Sequence, residues 1–293
     1  MRIGAIEAGG TKINCGIGDE KGNLFNYVSF PTREPLETMQ DVYRYFRDQQ
    51  LEGLGIASFG PVEVNPQSPK YGRITSTPKL AWQNFDWLAS MKGYVDCPIY
   101  LDTDVNAAAL GEARWGAAAG LSNCIYMTVG TGIGAGLLVE GNLVHGLLHP
   151  EAGHMLIRRH KEDTYAGHCP FHGDCLEGMA SGPAIGDRFG GKAETLGLSH
   201  PAWDFEAYYL AQAVVNLTLS TAPQRVILGG GVIHQPQLIE KVRKQVLALL
   251  NGYLAKDELI QGIDTFIVPP GLGDFSGLKG ALALVTQNMP GER

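Results

Sequence analysis

The feature that most constrains this fold is a glycine-turned hairpin that occurs twice. Ile3 to Glu7 is a short apolar strand, Ala8-Gly9-Gly10-Thr11-Lys12 is a turn, and Ile13 to Ile17 alternates as a returning strand. The design returns with Cys124 to Val129, the turn Gly130-Thr131-Gly132, and Ile133 to Glu140 closed by Gly141-Asn142. A strand, Gly/Thr turn and strand at both 3–19 and 124–140 predicts two domains of duplicated topology. These would face each other across a cleft, each lending a backbone loop to a nucleotide's phosphates. The plainer reading is two ordinary tight turns that resemble each other by chance. Length favours the first, because 293 residues exceed a single ordinary core.

The residues around the first turn add to the glycines. Gly9 and Gly10 let a phosphate approach backbone N–H groups, Thr11 adds a hydroxyl, Lys12 a positive charge, and Glu7 an oxygen near a hydrated magnesium ion. The spacing is not that of a Walker A loop, and a strand rather than a helix follows. Lys and Arg number 23 against 30 Asp and Glu, so the broad positive field of a nucleic-acid binder is missing. There is neither a signal-like start nor an apolar run near the ~20 residues that span a bilayer. The expectation is a cytoplasmic protein with small-molecule partners, no nucleic acid and no membrane. Cys15, Cys97 and Cys124 lie singly in apolar segments and read as reduced core thiols.

Between the hairpins, apolar spacing predicts a helix over 36–50 and a buried strand over 54–57. The segment 63–90 is rich in proline and polar groups and reads as a long loop or lid outside the core. The strand Ile99-Tyr100-Leu101 delivers Asp102-Thr103-Asp104-Val105-Asn106 to the start of a helix over about 105–115. A strand end feeding a helix start is a rigid mount for a carboxylate base, and one of the two aspartates could instead cap the helix. Asp102 or Thr103 would hold the backbone while Asp104 faces the cleft. Further on, helices are expected over 204–222, 237–253 and about 275–288, and strands over 225–228 and 265–268. Gly229-Gly230-Gly231 after a buried strand permits a planar ring or ribose to lie against backbone.

A metal-like cluster sits between 151 and 177. Cys169, His172 and Cys175 at three-residue spacing can aim three soft donors at one point, with His154 as the natural fourth and His160 or His168 as substitutes. Four protein ligands leave no open position, so such a zinc would be structural and would hold Glu151 and Glu177. The alternative is a surface loop with two nearby cysteines.

Taken together, Glu7-Ala8-Gly9-Gly10-Thr11-Lys12, the run from Asp102 to Glu112, Gly130-Thr131-Gly132-Ile133-Gly134-Ala135-Gly136, His149-Pro150-Glu151-Ala152-Gly153-His154, the cysteine cluster and Gly229-Gly230-Gly231-Val232 resemble the ROK sugar kinases, most closely their bacterial fructokinase branch. The resemblance covers essentially the whole chain. It implies a two-domain α/β actin- and hexokinase-like fold with an interdomain cleft. The small domain would span 1–116 plus a C-terminal helix of about 281–293, and the large domain 117–280. It implies transfer of the ATP γ-phosphoryl group, with Mg2+, to a hexose, fructose first and mannose or glucose next. Asp104 is then the base. Asn84, Asn106, Glu151, His154 and Glu177 are sugar contacts. Thr131, Gly132, Pro183, Gly229, Gly230 and Gly231 line the ATP site. Two departures stand out: Glu7 where most of the family has aspartate, and His172 where the zinc loop usually has cysteine. The family's repressors carry a helix-turn-helix before the first hairpin, and this chain begins at that hairpin. A non-catalytic sugar sensor on the same fold is the alternative from another class. The oligomeric state, a homodimer among the options, is left open.

Overall fold

The computed structural model describes residues 1–289; residues 290–293, the end of the expected C-terminal helix, lie outside the described residues. In chain order the strands are β1 (Ile3–Ala8), β2 (Lys12–Gly18), β3 (Leu24–Pro31), β4 (Gly53–Ser58), β5 (Ile99–Thr103), β6 (Cys124–Val129), β7 (Ile133–Val139), β8 (Asn142–Leu143), β9 (Arg225–Gly229) and β10 (Ile267–Val268). The helices are α1 (Pro35–Phe46), α2 (Trp87–Met91), α3 (Asp104–Trp115), α4 (Leu176–Ala180), α5 (Gly182–Phe189), α6 (Ala202–Thr221), α7 (Leu238–Leu250), α8 (Asp257–Ile260), α9 (Ile263–Phe266) and α10 (Ser276–Asn288). The chain divides into two compact units. Unit 1 holds Met1–Gly120, Leu143–Pro150 and the chain from Asp274, and unit 2 holds Leu121–Asn142 and Glu151–Gly273.

In unit 1 a five-stranded sheet runs β3-β2-β1-β4-β5. β1 is antiparallel to β2 and parallel to β4, so the first hairpin is continuous with a parallel core. β4 is buried at every position, as expected of a central strand covered on both faces. Glycine sets how closely α10 can approach: a Cβ at Gly55 would lie 1.8 Å from the Ala281 carbonyl oxygen, and one at Gly280 would lie 1.9 Å from that of Ala107. α10 therefore lies against β4 and α3 at backbone distance. In unit 2 the second sheet runs β10-β9-β6-β7-β8, with β6 antiparallel to β7 and parallel to β9. The hairpin-plus-parallel-strand motif is thus built twice.

Several local expectations are corrected. α1 stops at Phe46 rather than Gln50, because its apolar face of Met39, Val42 and Phe46 ends there and Arg47-Asp48-Gln49-Gln50 offers nothing to bury. The segment 63–90 is not outside the core. Ile74, Trp82 and Trp87 are among the largest fully buried side chains of the chain. The two indoles find partners, Trp82 Nε1 donating to the Arg33 carbonyl (2.9 Å) and Trp87 Nε1 to Ser58 Oγ (2.9 Å). Proline and polar content hid two tryptophans whose polar edges are satisfied inside. The span 265–268 is helical to Phe266 and extended only at Ile267–Val268. β3, unassigned from sequence, is an edge strand with mostly exposed or half-exposed residues, which gives little apolar signal.

Candidate active site

In unit 1 the site is built where β5 hands over to α3. Thr103 is the N-cap, its Oγ1 accepting from the Asn106 N–H (3.1 Å), and Asp104 is the first residue of the helix. Asp104 Oδ1 accepts from the Val105 N–H (2.9 Å). A carboxylate in the first helical turn is favoured by the helix dipole. Asp102 is buried, and its Oδ1 accepts from the Thr103 N–H (2.7 Å) and from Asn106 Nδ2 (2.8 Å). Asp102 holds the backbone at the strand end and Asp104 begins the helix. Asn106 is fully buried, and its Oδ1 has no hydrogen-bond partner among the described residues.

The first turn is closed by the Gly9 N–H donating to the Lys12 carbonyl (2.9 Å) and braced by Thr32, whose Oγ1 donates to the Gly9 carbonyl (2.8 Å). A Cβ at Gly10 would meet only Lys79 Cε, at 3.5 Å, so a second lysine lies beside this turn. Below it, Glu7 Oε2 accepts from Asn14 Nδ2 (2.7 Å). Burial pushes the Glu7 carboxyl above its usual range, Asn14 and Lys12 oppose that, and the Asp274 charge adds to it. Two neighbouring carboxylates at a phosphate-type turn have the donor chemistry of a hydrated magnesium site.

In unit 2 three glycine segments converge. Gly130 N–H donates to the Gly132 carbonyl (2.9 Å), and Gly182 N–H donates to the Gly130 carbonyl (2.8 Å). Gly230 has φ +91°, and a Cβ there would lie 2.4 Å from the Val129 carbonyl oxygen. Pro183 stands in the first turn of α5, which Ser181 caps. Gly132, Pro183 and the 229–231 glycines are therefore local neighbours.

The four expected metal donors are also together. Their ligand atoms all lie within 4.8 Å of one another. Cys169 Sγ is 3.7 Å from both His154 Nδ1 and His172 Nδ1, and Cys175 Sγ is 3.5 Å from His154 Nδ1. Tetrahedral zinc with usual Zn–S and Zn–N bonds places S and N about 3.6 Å apart, so the donor set fits the ion. The loop is tight because Cys169 and Gly173 exchange backbone bonds and Gly173 takes φ +65°. Glu177, on α4, accepts at Oε2 from the Ile133 N–H (2.8 Å), which puts it on the second hairpin. The Glu151 carboxyl is pushed up to about 7, first by lost hydration and then by the Glu177 charge. The side chain keeps an exposed face, and water there screens part of that shift. Asn84 is exposed with φ 63°, a left-handed conformation that asparagine tolerates.

Sequence reasoning gave no role to His145, nor to His149, which it quoted only as the start of a family motif. His145 Nε2 lies 2.8 Å from Asp102 Oδ2, and Asp102 raises its pKa. His149 is buried, and its Nε2 accepts from the Val62 N–H (3.2 Å). Burial lowers its pKa, which keeps the ring neutral and able to accept. Neither has a sequence spacing to its partner that could have revealed it. Lys79 and Asp274 were missed for the same reason.

The ROK family model matches residues 3–288. The chain belongs to the ROK family. A Bacillus subtilis protein named as a candidate fructokinase is 48% identical over 290 residues, covering 99% of this chain and 97% of the relative. The fructokinase of Pediococcus pentosaceus is 46% identical over 284 residues, 97% of each chain. Among solved structures, a ROK family glucokinase from Streptomyces griseus, in complex with glucose and AMPPNP, is similar with a TM-score of 0.78 at 22% identity, covering 98% of this chain and 100% of that one. The ROK hexokinase of Thermus thermophilus gives 0.75 at 25% identity, covering 97% of each. The fold is the actin- and hexokinase-like one that the resemblance to the ROK sugar kinases implied. Among the described residues, no helix is long and apolar enough to cross a membrane.

Proposed function

We propose that the protein is an ATP-dependent hexose kinase that phosphorylates the 6-hydroxyl of fructose, working in the cytoplasm. The observation that carries this is Asp104, a carboxylate mounted as the first residue of α3 in a ROK-family chain that shares 46% identity with a fructokinase over 97% of its length. Asp104 accepts the proton of the attacking hydroxyl. Asn84, Asn106, Glu151, His154 and Glu177 are the hexose side of the site. Gly9, Gly10, Thr11 and Lys12 in unit 1, and Thr131, Gly132, Pro183 and Gly229 to Gly231 in unit 2, receive ATP.

Magnesium bound with ATP supplies neutralising charge at the phosphates, and Glu7 with Asp274 would hold its hydration shell. Zinc at His154, Cys169, His172 and Cys175 would fix the loop that carries Glu151 and Glu177, with no part in the chemistry. Exclusion of water from the hexose side protects the phosphoryl group from hydrolysis.

The test is coupled ADP release with fructose, mannose and glucose. Turnover ranked by kcat/KM with fructose first is the expected outcome. Saturable hexose binding without turnover of any sugar would overturn the kinase in favour of a sensor.

A further inference from the structure

The most developed polar constellation left unassigned centres on His145. It lies in Leu143–Pro150, a segment that belongs to unit 1 although it is far in sequence from β5. Asp102 Oδ1 already takes two donors, and Oδ2 faces His145 Nε2 at 2.8 Å. A carboxylate only accepts, so Nε2 carries the proton. The 3.3 Å approach of Asn106 Nδ2 to the same nitrogen is then two donors converging on one carboxylate. This fixes the tautomer: in the neutral ring Nδ1 is the acceptor, and it has no protein partner among the described residues. The ring is 38% exposed above the fully buried Asn106. The far end of the segment is held as well, by His149 on the Val62 N–H.

An imidazole oriented through one nitrogen by a buried carboxylate directs its other nitrogen at a ligand. We propose that His145 is a hexose-binding residue whose Nδ1 hydrogen-bonds a sugar hydroxyl, with Asp102 as the group that holds the ring. This rests on the hexose-kinase reading. Three points favour the sugar over ATP as its ligand. The ring sits on Asp102 and Asn106, two positions to either side of the base that must meet the sugar. The phosphate turn of unit 1 is a separate element, β1 to β2. The buried Asp102 carboxylate behind the ring offsets positive charge on it, so Nδ1 suits a neutral hydroxyl, which can donate or accept, better than a phosphate oxygen. The ring is more exposed than Asn106 beneath it, so His145 adds a further polar contact to the one assigned to Asn106.

The experiment compares wild type, His145→Ala and His145→Gln in steady-state kinetics with ATP, fructose and singly deoxygenated fructose analogues. Losing one hydrogen bond should raise the fructose KM of the alanine variant about tenfold while the ATP KM stays within about twofold. One deoxy analogue that wild type handles poorly should lose its disadvantage in the variant, as coupling between a side chain and a hydroxyl demands. The glutamine variant keeps a donor for Asp102 and so separates folding from binding: it should match wild type in Tm and still show a raised fructose KM. Unchanged fructose KM in both variants would overturn the proposal. So would equal rises in both KM values, or an unchanged deoxy-analogue pattern, either of which marks a packing role. A wild-type enzyme that phosphorylates no hexose would instead sink the kinase reading, and is told apart because its failure precedes any substitution.

Discussion

The two glycine hairpins share a topology and differ in what surrounds their turns. In unit 1 the turn carries its own charge, Lys12, with Lys79 alongside, and its carboxylate, Glu7, comes from the hairpin itself and bonds Asn14 across the strand pair. In unit 2 the turn Gly130-Thr131-Gly132 has no lysine. Its carboxylate, Glu177, arrives from α4 and lands on the Ile133 N–H, and glycines from α5 and the end of β9 pack against the turn. One duplicated frame thus carries a charge-based turn in one unit and a backbone-packed turn in the other. Electrostatic turns tolerate added bulk, whereas backbone floors do not.

The largest expected effect lies outside both hairpins, and that is what makes it informative. Asp104→Asn keeps shape and the bond to the Val105 N–H but cannot take a proton. Fructose phosphorylation should fall by roughly 10² to 10⁴ in kcat. The ATP KM should hold, because neither turn depends on Asp104. Near wild-type kcat would remove Asp104 from the chemistry. A raised ATP KM would show that the base and a phosphate turn are one structure.

The next effect sets one turn against the other. Gly230→Ala places a Cβ 2.4 Å from the Val129 carbonyl oxygen at a φ of +91°, so it should destabilise the protein by more than the ~1–2 kcal/mol of left-handed backbone alone. Gly10→Val meets only a flexible lysine end, so its Tm should stay near wild type while the ATP KM rises. Thermal unfolding with ATP titration separates the two. Equal Tm losses would erase the contrast between a charge-based and a backbone-based turn.

How much of this was legible in the sequence follows from the same contrast. The hairpins, the Asp102–Asn106 handover and the Cys/His cluster were readable because each is local, with its residue types adjacent or three apart. Glu177 was readable as a site residue but not as a brace for Ile133, since that bond joins positions 44 residues apart. His145 on Asp102, 43 residues apart, was invisible for the same reason. Trp82 and Trp87 were misplaced outside the core because proline-rich surroundings outweighed them. Only the structure shows the Arg33 and Ser58 acceptors that let an indole be buried.

A smaller effect concerns the brace on the second hairpin. Elemental analysis should find one zinc per chain, and Cys175→Ser should lower both zinc content and Tm, since structural zinc contributes to folding. Loss of the ion frees His154 and the loop beside Glu151, so the hexose KM should rise most. Because α4 also carries Glu177 onto Ile133, the ATP KM should follow to a lesser extent. A protein free of zinc with full stability and activity would return the cluster to a loop with two reduced cysteines.

The smallest effect compares buried carboxylates. In unit 1 Glu112 is fully satisfied, Oε1 by Ser276 Oγ at 2.7 Å and Oε2 by the Ala117 N–H at 2.6 Å. In unit 2 Glu206, on α6, is buried with neither oxygen hydrogen-bonded among the described residues. Burial raises its pKa well above the ordinary 4.5, against a weaker opposing pull from Arg188, whose guanidinium already pairs with Asp163 at 3.2 Å. The folded chain therefore keeps a proton that the unfolded chain releases, so stability falls as pH rises from 4.5 toward the raised value. Glu206→Gln removes that dependence while leaving shape and burial almost unchanged. The variant and wild type should unfold at similar temperatures near pH 4, and a gap of a few degrees in favour of the variant should open as the pH is raised to 8. The kinetics should be unaffected, as among the described residues no hydrogen bond joins the Glu206 carboxyl to a residue assigned to substrate or metal. A gap that stays flat across that range would mean that Glu206 is ionised in the folded protein and held by Arg188, and the contrast between the carboxylates of the two units would vanish.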